Sequence, residues 1–390
     1  MNQSRPAMFE FSGLTDNTAL AVFLFVFFLL VYTITVVANI GLFVVVYKTS
    51  SLHTPMYYFL RYLSVVDLFY SSDIVPKMIS DIFFRRKFIS FHGCALQFYF
   101  FAALASIDVH LLSNMSYDRY AAICQPLQYV SIMTTNKCFY MVLIAFVLGF
   151  LQSSVQTSCI FSLQYCGSNH IDHFYCDISP LLKLSCSDTF TCEMAITSLI
   201  GFYSIVSLAT ILISYSFIIF SILKIKSAKG RQKAFSTCSS HVICASIFYV
   251  SVFLTYLHPP SNVNDKQSKV ASIFYCVMTP MLNPLIYSLR NQEVKTIIVQ
   301  AMHSLNSLKE KVLHHSGLTE KVLHSGLKKK VLHHSGLKEK VLHHSGLKEK
   351  VLHSGLKEKV LHHSGLMEKV LHHYGLKEKV LHSGLKKVLH

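Results

Sequence analysis

The chain has 390 residues, 52% hydrophobic and 14% charged, where a soluble domain carries roughly 25% charged. Its formal charge is +16, and it holds 29 Phe and 20 Tyr but no Trp. So apolar a composition excludes a single water-soluble core and directs the search to stretches of about 20 apolar residues, enough for a helix to cross hydrocarbon.

Residues 1–18 precede the first such stretch and read as an extracellular N-terminus, with Asn2-Gln3-Ser4 as a glycosylation acceptor. The first stretch, Ala19–Tyr47, has no charge. It is too long for a signal peptide and lacks a small-residue cleavage site, so it reads as an anchor that stays. Tyr57–Ser80, Cys94–Tyr117, Cys138–Leu163, Ala195–Ile222, Ser236–Leu257 and Val270–Leu289 follow, making seven spans. None alternates as a barrel strand does, so sheet is not expected. The Lys224–Lys233 run places that loop on the cytoplasmic side, against the opposing pull of Arg85-Arg86-Lys87. The N-terminus is then outside, and seven crossings put the C-terminus in the cytoplasm.

Residues 19–304 form the membrane domain, and 305–390 a repeat tail of alternating KEKVLHHSGL and KEKVLHSGL units. Drift between ten and nine residues fits no heptad or solenoid period. From Lys309 the tail carries 17 Lys and 7 Glu, so it supplies +10 of the chain's +16. It reads as a disordered low-complexity expansion. A second reading lays it on the anionic inner leaflet; a third is metal binding by His-His pairs, a weak signal because adjacent side chains do not share a helix face.

Polar residues inside the spans carry the functional signal, since charge in hydrocarbon is paired, interfacial or functional. Asp118-Arg119-Tyr120 stands at the foot of the third span, and Asn283-Pro284-Leu285-Ile286-Tyr287 near the inner end of the seventh. Pro284 removes a backbone hydrogen bond and kinks its helix. Asp67 and Asp108 are two acids in hydrocarbon that need a cation, protons or a polar network. They read either as helix-packing polar residues or as an ion site, with sodium the candidate occupant.

Taken in order, these motifs resemble the olfactory receptors, a branch of the rhodopsin-like G-protein-coupled receptors. The resemblance rests on Leu52-His53-Thr54-Pro55-Met56-Tyr57-Tyr58-Phe59-Leu60, Pro76-Lys77-Met78, Met115-Ser116-Tyr117-Asp118-Arg119-Tyr120-Ala121-Ala122-Ile123-Cys124, Ser214-Tyr215, Lys233-Ala234-Phe235-Ser236-Thr237-Cys238-Ser239-Ser240-His241 and Pro280-Met281-Leu282-Asn283-Pro284-Leu285-Ile286-Tyr287. Ser116, Ala121, Ala38, Asp108 and Val250 depart mildly from the family's usual residues, and the repeat tail has no counterpart in it.

The resemblance implies an all-α bundle of seven transmembrane helices, a short cytoplasmic amphipathic helix and the low-complexity tail, in the plasma membrane. It also implies odorants as ligands and a stimulatory heterotrimeric G protein as partner. Asp118, Arg119, Tyr120, Tyr215, Lys233, His241, Asn283, Pro284 and Tyr287 would form the coupling switch. Four outer cysteines permit three pairings, and spacing does not choose; the resemblance implies Cys94–Cys176 and Cys166–Cys186. Cys124, Cys238 and Cys244 are expected to be free. His170, His173 and Cys176 fall at three-residue steps, but an oxidised Cys176 offers no thiolate to a metal.

Helical spacing puts Phe101, Ala102, Ala105 and Ser106 on one wall of the third span. Ser198, Phe202 and Ile205 are expected opposite from the fifth, Tyr249, Val252, Phe253 and Tyr256 from the sixth, and Ile273 from the seventh. Each also reads as ordinary packing. No acid faces this wall in its outer half, which favours a neutral, weakly polar ligand over an amine. An ion-coupled transporter is the alternative, without the internal repeats such proteins show. Enzyme and nucleic-acid-binding readings find no motif: nucleophile elbow and phosphate loop are missing, and the basic tail holds a single Tyr, Tyr374, among its evenly spread charges.

Overall fold

The computed structural model describes residues 6–15, 17–84, 87–166, 168–256, 265–290, 294 and 296–297. The acceptor at Asn2, the tail and most of the segment expected to hold the amphipathic helix lie outside them.

The helices outrun the apolar stretches, because polar residues at their ends still cap and wind the backbone. α1 (Thr18–Lys48) starts where the Asn17 side chain accepts from the amides of Ala19 and Leu20 at 3.0 and 3.2 Å. α2 is Pro55–Phe84, with Pro at the first helical position, where its missing N–H costs nothing. α3 (Phe91–Cys124) begins at Ser90, which accepts from Gly93, and carries Asp118 and Arg119 inside its last turns. A single turn, α4 (Tyr129–Ile132), leads to α5 (Thr135–Ser162), capped by Thr134. After the short α6 (Ile178–Lys183) come α7 (Phe190–Leu223) and α8 (Ala228–Tyr256). α8 begins eight residues before the apolar stretch that marks it. α9 (Asp265–Ile273), a π-wound segment Phe274–Met278 and α10 (Thr279–Arg290) run on without a break as the seventh rod.

Six of these rods are long and apolar enough to cross a membrane. α2 is set apart by Arg61, Asp67, Asp73, Lys77 and Asp81, yet it packs between α1 and α3 with Asp67 fully buried. It completes the seven-helix bundle.

A small sheet was not expected. β1 (Met8–Phe11) pairs antiparallel with β2 (Phe88–Ser90) and parallel with β3 (His170–Ile171), joining three separate outer segments. Strands this short escape a search for barrel-like alternation. Phe9 and Phe11 drive the pairing by burying completely against Phe91, Tyr165 and Ile171.

α3 is the hub, packed on α2, α5, α7 and α8. Its contact with α5 is close enough to require a glycine. A Cβ on Gly149 would meet Ile107 Cγ1 at 2.6 Å and the Ala103 carbonyl oxygen at 2.9 Å. Gly149→Val is therefore expected to destabilise the bundle by about 1–3 kcal/mol through overpacking. Gly201→Val, at a position with nothing within 4 Å, should leave stability nearly unchanged. Thermal unfolding of the two purified variants checks this; equal melting temperatures would contradict the close α3–α5 approach.

Candidate ligand and coupling sites

The outer end is tied covalently. Cys94 at the start of α3 is bonded to Cys176, which pins the long segment between α5 and α7 over the bundle, and Cys166 is bonded to Cys186 within that segment, across α6. A third bond, Cys159–Cys192, joins the outer ends of α5 and α7. The sequence reading missed it, although both residues lie within about a turn of two predicted outer span ends. Cys124, Cys138, Cys238, Cys244 and Cys276 are free.

Below the sheet, Lys269 of α9 donates to Asp172 at 2.6 Å and to Ser12 at 2.9 Å, while Ser12 donates to Asp172 at 2.6 Å. This cluster ties the N-terminal segment, the long loop and the seventh rod together. Hydrogen bonds from Lys269 and Ser12 hold the Asp172 carboxyl below its usual range. His173 beside it is 2% exposed, stacked on Phe174 and edge-on to Tyr175, with neither ring nitrogen hydrogen-bonded. Burial first, then the Lys269 charge, pushes its pKa from 6.5 down to about 3. His170 is exposed at the sheet edge and Cys176 is oxidised; these do not form a metal site, and no metal-holding group occurs among the described residues.

The next layer down is aromatic. Phe101 stacks on Tyr70 of α2 with centroids 5.4 Å apart, and lies 5.0 Å from Tyr175 of the loop and 6.0 Å from Tyr275 of the π-wound segment. The two tyrosine hydroxyls hydrogen-bond to each other. Ser106 is buried and donates to Gln152 of α5 at 2.7 Å. Ala102 and Ala105 are half-buried on the same helix, and Ile273 packs against the main core. Tyr249 donates to Ser207 of α7 at 2.6 Å, and Ser207 donates to the Val109 carbonyl at 2.9 Å, so one polar chain links α8, α7 and α3. Val252 joins the same inner cluster.

Four expected wall residues are corrected. Ser198 is exposed, and Phe202, Ile205 and Phe253 are 63%, 69% and 54% exposed on the outside of the bundle. Apolar spacing cannot set the phase of a helix whose lipid-facing and bundle-facing sides are both apolar; buried Ser207 and Ser214 mark the inner face of α7 instead. Tyr256 ends α8, and its side chain, like that of Lys233, is not among the described ones. One acid does lie in the outer half: Asp73 of α2, whose Oδ2 is buried with no hydrogen-bond partner. Its backbone carbonyl accepts from Gln97, which in turn accepts from the Cys176 amide.

At mid-depth, Asn283 donates to both oxygens of Asp67, at 3.1 and 3.2 Å. Asn39 donates to the Pro280 carbonyl, which Pro284 leaves without its usual donor. Asp108 is buried, interacts electrostatically with Asp67 and has an oxygen with no hydrogen-bond partner. Asp67 thus has an amide donor while an Asp108 oxygen has none, and a buried carboxyl so placed calls for a proton or a counter-charge.

At the inner end, Arg119 binds Asp118 through two nitrogens, at 2.5 and 3.1 Å. Tyr129 of α4 donates to the other Asp118 oxygen at 2.7 Å. Burial and the adjacent carboxylate push the Tyr129 phenol up, so it keeps the proton it donates. Sequence reading missed this third member, whose only signal was a tyrosine ten residues past the pair. Tyr120 packs on Phe217 of α7. His241 of α8 donates from Nε2 to the Leu112 carbonyl at 2.9 Å, which leaves Nδ1 to accept from Tyr215 at 2.8 Å. Tyr287 is buried nearby. The inner end is thus held shut by a hydrogen-bonded link between α3 and α8.

The arrangement of seven rods around a central α3 has a counterpart in squid rhodopsin. The two share a TM-score of 0.57 at 18% identity, over 74% of this chain and 87% of that one, a likeness of fold alone. Sequence is more specific. The olfactory receptor family matches residues 28–304. Olfactory receptor 5B21 of Mus musculus is 47% identical over 286 residues, 73% of this chain and 90% of that protein. Olfactory receptor 5B12 of Homo sapiens is 47% identical over 295 residues, 76% of this chain and 94% of that protein. The chain belongs to the olfactory receptor family, multi-pass G-protein-coupled receptors and not enzymes. Nothing in these likenesses supports a transporter.

The outer cap generates a pH prediction. Both His173 and Asp172 have native pKa values below their ordinary ones, so the unfolded cap binds more protons than the folded one in acid. Cap stability is then greatest above pH 6.5 and falls as His173 is forced to protonate between 6.5 and about 3. The slope is at most about 1.4 kcal/mol per pH unit for one proton. The protection factors of the Phe9 and Phe11 amides, referred to the intrinsic exchange rate at each pH, should fall over that range. His173→Phe should flatten the response; an unchanged profile in that variant would show that another group is responsible.

Proposed function

We propose that this receptor takes small, neutral, mostly apolar odorants in the layer bounded by Phe101, Ala105 and Ser106 of α3, Tyr249 and Val252 of α8 and Ile273 of α9, and that it activates a stimulatory heterotrimeric G protein from its inner end. Its place is the plasma membrane, with the N-terminus outside and the C-terminus in the cytoplasm. The disulfide-bonded cap suits an oxidising exterior and the Lys224–Lys233 run the cytoplasm. An aromatic layer with a few hydroxyls suits weakly polar ligands, whose small apolar area at about 25 cal/mol per Å² supports micromolar-scale affinity after the entropy cost.

The observation that carries this reading is the chain Tyr249–Ser207–Val109. It ties the floor of the ligand layer to α8, and eight residues along α8, about 12 Å away, His241 closes the inner end on Leu112. A ligand that packs better when Tyr249 and Phe248 shift favours a second position of α8, and differential affinity alone moves that equilibrium. With α8 displaced outward at Lys233–His241, Arg119 leaves Asp118 and Tyr129 and meets the G protein. Tyr215 and Tyr287 fill the space, and Tyr120 keeps α3 against α7. A sodium ion held by Asp67 and Asp108 would balance the buried carboxylates of the resting arrangement, with Asn283 and Pro284 shaping the helix beside it.

A cyclic-AMP assay against an odorant panel tests the proposal. Arg119→Ala should abolish the response at normal surface levels, and a variant that still signals would refute the latch. Tyr249→Phe removes one hydrogen bond of about 0.5–1.5 kcal/mol from the resting packing. Basal signalling should therefore rise by about two- to tenfold.

A further inference from the structure

Between the inner ends of α7 and α8 lies a groove of about 420 Å³, walled by Ile219, Leu223, Ala228 and Phe235 and bordered by Arg231. Ile219, Leu223 and Phe235 are each more than half exposed, so the groove opens away from the bundle axis, toward lipid. The segment that closes it, residues 224–231, runs from the end of α7 into the first turn of α8 and carries four cations and no acid. Lys224 lays its ammonium 4.0 Å over the Phe220 ring, back along the apolar wall, while Lys226, Lys229 and Arg231 are exposed.

We propose that this groove binds an anionic phospholipid of the inner leaflet, a phosphoinositide, with an acyl chain along Leu223 and Phe235 and its phosphates on Arg231 and Lys229. The apolar walls face hydrocarbon and select a chain, not a peptide. The cations stand where headgroups lie, and each Lys or Arg there contributes roughly fivefold in affinity for an anionic surface. Guanidinium matches phosphate with two parallel hydrogen bonds, which an ammonium does not. A G protein would approach Arg119 from inside the bundle, so the two partners occupy different sides of α8. The inference rests on the reading of this end as cytoplasmic.

The full chain in phosphatidylcholine nanodiscs doped with phosphatidylinositol bisphosphate tests it, by native mass spectrometry of retained lipid. Ala228→Trp fills the groove and keeps every charge; Arg231→Gln keeps the groove and removes one charge. Each should lower retention by roughly fivefold or more, and soluble inositol trisphosphate should compete poorly because it has no chain. Unchanged retention in Ala228→Trp would overturn the site, whether or not Arg231→Gln weakens binding, since charge alone would then account for it. Equal competition by the soluble headgroup would overturn it too. Nanodiscs offer lipid to both faces, so this outcome is independent of orientation, which labelling of Lys226→Cys in intact cells reports separately.

Discussion

Hydrocarbon offers no water to a stranded donor or acceptor, so polar side chains within the spans turn back to a carbonyl of their own helix, as Thr35 does to Val31, or reach a partner on another helix. That constraint organises the receptor. Ser106 finds Gln152, Ser153 finds the Tyr99 carbonyl, Asn114 the Met141 carbonyl and Asn283 the Asp67 carboxyl. Apolar side chains are as content against lipid as against each other, so these bonds, with the close approach at Gly149, specify which helix lies beside which. α3 takes part in most of them.

Because α3 is one unbroken helix, its levels are mechanically joined. From Cys94 to Asp118 it spans about 36 Å, touching the disulfide-tied loop, the aromatic layer, the acid pair and the arginine latch in turn. Its neighbours differ in how firmly they hold it. α5 is seated by steric fit and α7 by the bond from Ser207 to the Val109 carbonyl, whereas α8 meets α3 through His241 and a few side chains. The weakest of these joints is therefore the one that the proposed switch would move.

Much of this was legible in the residues, for definable reasons. Long apolar stretches announce helices that cross a bilayer, and Asp67, Asp118, Arg119 and Asn283 stand out because charge and amide groups are rare there. Facing was harder to read. Phe202, Ile205 and Phe253 have the right spacing for an inner wall and the wrong phase, a distinction that apolarity does not encode. Contacts between distant segments were also hidden. The sheet joins Met8–Phe11 to residues far along the chain through strands of two to four residues, too short for any period. Tyr129 reaches Asp118 only because a turn brings α4 back beneath α3.

The parallel pairing of Glu10 with His170 also bears on biosynthesis. Ser12 and Asp172 are 160 residues apart, and at about 5–20 residues per second a ribosome needs roughly 8–30 s to make that interval. In the proposed orientation the N-terminus is exported first, and Phe9 and Phe11 wait in the lumen as bare aromatic surface until four helices have been inserted and the loop arrives. Cys94 waits likewise for Cys176, 82 residues later. The cap is thus among the late parts of the nascent receptor to close, and until then it presents the kind of surface that lumenal chaperones hold back from export.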